Sequence, residues 1–219
     1  MDRRAAALLL VAVVALASVV NATVFAYRWL SGTVSIAGPE EARGAACTGF
    51  YSAAAQSDIT QFLPNLGTNY NAPTYGTSSI TVTTGDVVCQ WTVTQDGTTR
   101  TYHLYESITV TIPVTVGSWY IQDFYAFGYK GTTTDPTVYV YFRVEDTAEY
   151  VSPAKLIIWK GTAKVELDLL SLGAMTSVIS LSPGGALRLD LYFDASTTGT
   201  ATFKVGVYVT QESGDSPSP

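Results

Sequence analysis

From Ile80 onward the chain alternates apolar and polar residues in short runs, with Gly, Pro, Asn and Asp between them. That is the pattern of half-buried strands rather than of helices. It predicts strands at Ile80 to Thr84, Val87 to Gln95, Arg100 to Tyr105, Ile108 to Val116, Thr137 to Val144, Lys155 to Trp159 and Lys164 to Leu170. Further strands are expected at Val178 to Leu181, Ala186 to Phe193 and Thr200 to Thr210, while the aromatic run Trp119 to Tyr129 makes one strand or two. Gly85-Asp86 and Asp96-Gly97 read as tight turns, the second closing a hairpin. The final strand is expected to pair with its predecessor across Asp194 to Gly199. Ala45 to Leu63 has no clean period and allows a short helix near Gly49 to Gln56, and Pro64 to Ser79 is a loop by its Pro, Gly and Asn content. The fold class is therefore all-β: a single jelly-roll-like β-sandwich over residues 33–210, followed at 211–219 by a polar tail expected to be disordered.

The amino end follows another pattern. Met1 to Arg4 is basic, Ala5 to Val20 is an uncharged run of small and aliphatic residues, and Val20-Asn21-Ala22 has the small residues of a signal-peptidase site. Residues 1–22 are read as a cleaved signal peptide, which sends the protein outside the cell and leaves no membrane segment. The alternative keeps Ala5 to Tyr27 as a membrane helix or a type IV pilin-like stalk. Against the stalk, no glycine follows Arg4, and the aromatic, Arg-containing end suits a strand better.

Cleavage would expose Thr23, Val24, Phe25, Ala26, Tyr27, Arg28, Trp29 and Leu30. As a strand, this ribbon puts Phe25, Tyr27 and Trp29 on one side and Val24, Ala26 and Leu30 on the other, with Arg28 alone breaking the apolar pattern. A β-prone segment so short of charge seeks an open sheet edge. Lending it to a neighbouring subunit is donor-strand complementation. Ser31-Gly32 then forms a joint, so residues 23–32 are donor strand and hinge, and Thr33 to Ile36 alternates as the subunit's own first strand.

Composition narrows the partners. The chain has 219 residues, is 47% hydrophobic and carries only 12 Lys and Arg. Its formal charge of −6 becomes −7 once Asp2, Arg3 and Arg4, together +1, are removed with the signal. Neither value suits a phosphate backbone or an anionic lipid surface, so nucleic acid is excluded as a main partner. The two cysteines, Cys47 and Cys89, pair as a disulfide if the chain is exported, or remain as two buried thiols if it is not.

Catalytic chemistry is sparse. His103 is the single histidine and sits in an alternating run, and no G-x-S-x-G, P-loop or H-E-x-x-H occurs. Asp190 with Asp194, and Glu166 with Asp168, are spaced to share a strand face, which suits a calcium site or a glycosidase pair but equally a solvated β surface. No catalytic, metal or cofactor-binding residue is assigned. The aromatics Trp119, Tyr120, Phe124, Tyr125, Phe127, Tyr129, Tyr139 and Tyr141 exceed one inward face, and the surplus is expected at an interface between subunits.

Two stretches carry a family resemblance. Phe25-Ala26 through Ser31-Gly32-Thr33-Val34-Ser35-Ile36 is an aromatic-then-S-G-T opening. Leu181-Ser182-Pro183-Gly184-Gly185-Ala186-Leu187 continues through Arg188 to Phe193 and Gly199-Thr200 into Phe203. Both resemble the camelysin/TasA-like family of secreted biofilm-fibre proteins, including archaeal bundling pilus subunits. Gly185 stands where that family usually has Asp, and the cysteine pair is not a general family feature. The resemblance implies a jelly-roll subunit polymerised head to tail by donor-strand exchange, in filaments that bundle with their neighbours and contribute to biofilm. It lends no residues to a protease activity. The expectation is thus a non-enzymatic subunit of an extracellular filament. The alternative is a secreted or membrane-tethered sandwich binding cell-surface polysaccharide or S-layer, with a glycosidase third.

Overall fold

The computed structural model describes residues 47–66 and 80–214. Their strands in chain order are β1 (Thr48–Tyr51), β2 (Thr81–Thr84), β3 (Val87–Gln95), β4 (Thr98–Tyr105), β5 (Ser107–Val114) and β6 (Gly117–Tyr129). They continue as β7 (Val138–Asp146), β8 (Val151–Lys160), β9 (Ala163–Asp168), β10 (Ile179–Leu181), β11 (Ala186–Ala195) and β12 (Gly199–Thr210). A seven-stranded sheet runs β3-β4-β1-β6-β11-β8-β9 and a five-stranded sheet runs β10-β7-β12-β5-β2, with antiparallel pairing throughout. The described residues are the all-β sandwich that the alternation predicts.

One long hairpin joins the two sheets. β2 passes through Gly85-Asp86 into β3, the chain turns at Asp96-Gly97, and β4 passes through Glu106 into β5. Asp96 (φ 51°) and Gly97 (φ 74°) both lie in the left-handed region, as a two-residue hairpin turn requires. Gly85-Asp86 is therefore not a tight turn. It is a corner where the strand leaves one sheet for the other, held by Gly85 N–H to Ser107 O at 2.9 Å and Glu106 N–H to Asp86 O at 3.0 Å. A side chain at Gly85 would run into the Ser107 hydroxyl, so the corner needs glycine.

The last two strands also depart from expectation. β11 lies between β6 and β8 in the larger sheet, whereas β12 lies between β5 and β7 in the smaller one. They do not form a hairpin. Each alternates cleanly: Leu187, Leu189, Leu191 and Phe193 on β11, and Ala201, Phe203, Val205 and Val207 on β12, all buried in the main core. Two consecutive amphipathic strands satisfy that pattern equally well face to face or side by side, and here they face each other.

A second, smaller core explains the irregular stretch after Cys47. No helix forms at Gly49 to Gln56. Thr48 to Tyr51 is a strand buried on both faces, which erases its period, and the chain then turns through a 3-10 segment at Ser57–Gln61. Residues 52–66 fold as a flap over the outer face of β1, β3 and β4, enclosing Tyr51, Ile59, Leu63, Tyr102 and Leu104, with Phe62 and Trp91 packed against them. The flap is tied down by the Tyr51 hydroxyl to Pro64 O (2.7 Å) and the Arg100–Asp58 ion pair (2.9 Å). The Gln56 side chain accepts from His103 N–H at 2.7 Å and donates to His103 O at 2.9 Å. That amide stands in for a neighbouring strand where β1 and β4 pair only at Phe50 and Tyr105.

Candidate functional site

Among the described residues the sandwich ends laterally in four strands, β3 and β9 on the larger sheet and β10 and β2 on the smaller. Sheet edges invite further strands unless they are short, charged or covered. β2 has four residues and β10 three, and β9 carries Lys164, Glu166 and Asp168. β3 differs: its nine residues, VVCQWTVTQ, hold no charge, and among the described residues only β4 pairs with it.

The two sides of β3 are unlike. Gln90, Thr92 and Thr94 project on the side that Tyr105 of β4 shares with the main core, but the smaller sheet stops at β2 and leaves them exposed. There they meet a polar ladder, with Thr92 and Thr101 hydroxyls 3.3 Å apart and Thr94 and Thr99 hydroxyls 3.0 Å apart. Cys89, Trp91 and Val93 project on the other side, half-buried against the second core. Trp91 stacks on Tyr102 (centroids 5.5 Å), meets Phe62 edge-on (5.8 Å), and has the Lys130 ammonium 5.0 Å from its ring. Cys89 is bonded to Cys47, with Cα atoms 5.3 Å apart, so the disulfide reading holds and the edge strand is clamped to the start of β1.

The outer face of the larger sheet carries a polar cluster. Gln122, Asp123 and Phe124 bulge against the single residue Asp190, and Asp123 takes φ 53° to do so. Asp190, fully buried, accepts from the Tyr120 hydroxyl (2.5 Å), Asp123 N–H (2.9 Å) and Arg188 Nη2 (3.1 Å). Arg188 Nε lies 3.0 Å from Asp123 Oδ1 outside hydrogen-bond geometry, as an ion pair, while its guanidinium sits 5.0 Å from the Trp159 ring centroid. Burial, then the bond to Asp190, pushes the Tyr120 hydroxyl up, and burial raises the Asp123 carboxyl despite Arg188. Asp190 is thus no part of a solvated face: the bulge and Arg188 cover it. Asp194 accepts from the Tyr192 hydroxyl at 3.1 Å, and Asp168 takes Leu170 N–H and the Ser171 hydroxyl, each at 3.0 Å. Exposed Glu166 bridges Lys155 and Lys164, both at 2.8 Å, which holds its carboxyl down to about 2. Among the described residues no three His, Cys, Asp or Glu side chains are grouped to hold a metal ion.

A third polar group sits near the sheet corner. Glu145 lies over Gly206, its side chain 3% exposed, with Lys204 Nζ 3.1 Å from Oε2 as an ion pair outside hydrogen-bond geometry. Burial pushes the Glu145 carboxyl up, against the pull of Lys204, and burial with the nearby Asp86 raises Glu106.

Of the aromatics assigned in part to an interface, Phe124, Tyr125, Phe127, Tyr129 and Tyr141 are buried within the subunit. Trp119 and Tyr139 are half-buried, and Tyr120 is 48% exposed. His103 is an ordinary strand residue whose backbone is held by Gln56. Thr23 to Leu30, the expected donor strand, and the signal segment 1–22 lie outside the described residues. No family model matches the chain, and no curated protein matches it by sequence.

Proposed function

We propose that this chain is a secreted structural subunit of an extracellular filament, a bundling pilus or matrix fibre, polymerised through its amino-terminal strand. The observation that carries the proposal is a sandwich with a long, uncharged strand edge, in a chain whose sequence supplies an apolar ribbon upstream. An exposed edge of that kind is an aggregation hazard unless something pairs with it. A head-to-tail contact between ribbon and edge repeats without closing, which gives a filament rather than a ring or a dimer. The disulfide fits an oxidising exterior. The family resemblance points the same way.

The polysaccharide-binding alternative needs an exposed aromatic platform. Tyr120 contributes one ring, but Arg188 stacks on Trp159 beside it and Asp190 holds the Tyr120 hydroxyl. Electron microscopy of the secreted product decides between the readings: filaments support the subunit, and dispersed particles that bind cell-wall polysaccharide support the module.

A further inference from the structure

We infer that the acceptor for the ribbon is the edge of β3 that no described strand pairs, and that its occupant is Thr23 to Leu30 of a second copy, laid with Phe25, Tyr27 and Trp29 on the side of Cys89, Trp91 and Val93. The inference rests on the filament reading for the identity of the occupant. Its location comes from the edges themselves. Of the four, β3 alone is both long and free of charge, while β2 and β10 are too short to seat an eight-residue strand and β9 is guarded by the ion-paired Lys164 and Glu166 and by Asp168.

Length matches, and chemistry matches on the side of the second core. Eight ribbon residues fit along nine of β3. Residues directly opposite across a strand pair share a face, so the aromatic side of the ribbon would prolong the row Cys89, Trp91, Val93 and extend the second core sideways. Trp91, already packed against Phe62 and Tyr102, would gain an aromatic neighbour at its open flank. Arg28 would fall on the opposite side together with Val24, Ala26 and Leu30, over the exposed Gln90, Thr92 and Thr94, where its charge stays in water. The Cys47–Cys89 bond makes the edge rigid before the ribbon arrives, lowering the ordering cost of docking. The flap 52–66 then has a role in assembly: it is the second wall against which the incoming aromatics pack.

The test places the photo-crosslinker p-benzoylphenylalanine at Tyr27 in the secreted full chain, expressed as an equal mixture of isotopically light and heavy copies. After irradiation of filaments, mixed light–heavy cross-links to residues of β3 or of the flap are expected. Filaments whose cross-links map to β2, β9, β10 or elsewhere overturn the β3 site and leave the filament reading standing. Cross-links joining only light to light and heavy to heavy show the ribbon folded onto its own chain, and overturn the second copy as occupant. Absence of filaments overturns the filament reading, and the acceptor with it. A companion variant, Gln90→Lys with Thr92→Lys, changes two exposed side chains and adds the charge that guards other edges. It is expected to melt cooperatively like the parent and to lose filaments, and undiminished filaments from it would overturn the assignment.

Discussion

The Tyr120 hydroxyl donates to the carboxylate of Asp190 at 2.5 Å, across the bulge that carries β6 past β11. The bond closes a fully buried carboxylate that also takes Asp123 N–H and Arg188. Replacing Asp190 with Ala leaves the arginine, a hydroxyl and a backbone N–H without their acceptor. Loss of one partner from a buried charged network costs about 3–5 kcal/mol. Tyr120→Phe removes a single bond to a charge and should cost about 1.5–3 kcal/mol. Urea denaturation of the two variants orders them; equal stability of Asp190→Ala and the parent would show the cluster to be ornamental.

The disulfide spans a sequence separation of 42 residues and holds the edge strand to the start of β1, just ahead of the flap. On loop entropy, a cross-link of this span contributes about 4 kcal/mol. Cys47→Ser with Cys89→Ser should therefore lower the urea midpoint substantially, and hydrogen exchange should quicken first in β3 and residues 52–66. Uniform loosening of both sheets would contradict the placement of the bond in a local, second core.

The hairpin of β3 and β4 was legible because Asp96-Gly97 is strong turn chemistry between two alternating runs, and the strands of the main core because each keeps one apolar face. What escaped was the meeting of faces. The β3–β4 hairpin points its apolar side away from the main core, toward a flap whose own sequence has no period since Thr48 to Tyr51 is buried on both sides. The aromatics of β6 go instead to the main core, which takes Phe124, Tyr125, Phe127 and Tyr129, while Ala126, on the outer face of that strand, lies under the second core. Asp190 and Asp194 share a spacing but not a fate, because a bulge on the partner strand leaves no mark in their own sequence. Sheet edges and buried carboxylates alike depend on neighbours that the local pattern does not name.

Two glutamates should oppose each other in pH dependence. Burial raises the folded-state pKa of Glu145, so its favourable contribution belongs to low pH and is lost as pH rises through that raised value. Lys155 and Lys164 lower Glu166 to about 2, so its contribution is present above the ordinary carboxylate range and lost as pH falls toward 2, and solvent screening keeps it small. Glu145→Gln should accordingly raise the melting temperature more at pH 8 than at pH 4. Thermal melts at the two values check this, and a greater gain at pH 4 would reverse the sign assigned to Glu145.

Gly128 holds the flap close to β6. A Cβ there would meet Tyr51 Cε1 at 2.8 Å and Leu63 Cδ1 at 3.0 Å, both in the second core. Gly128→Ala should cost about 1–3 kcal/mol by overpacking. Increased protease cleavage within residues 52–66, read by mass spectrometry, locates the damage; cleavage confined to the opposite end of the sandwich would count against it.

The filament model is tested most directly by sedimentation velocity of the secreted chain beside a version lacking Thr23 to Leu30. The parent should run as a broad distribution of large polymers, and the shortened chain as one folded monomer with an unchanged near-ultraviolet circular dichroism spectrum. Polymers of equal size from both, or a parent that stays monomeric at every concentration, would contradict assembly through the amino-terminal strand.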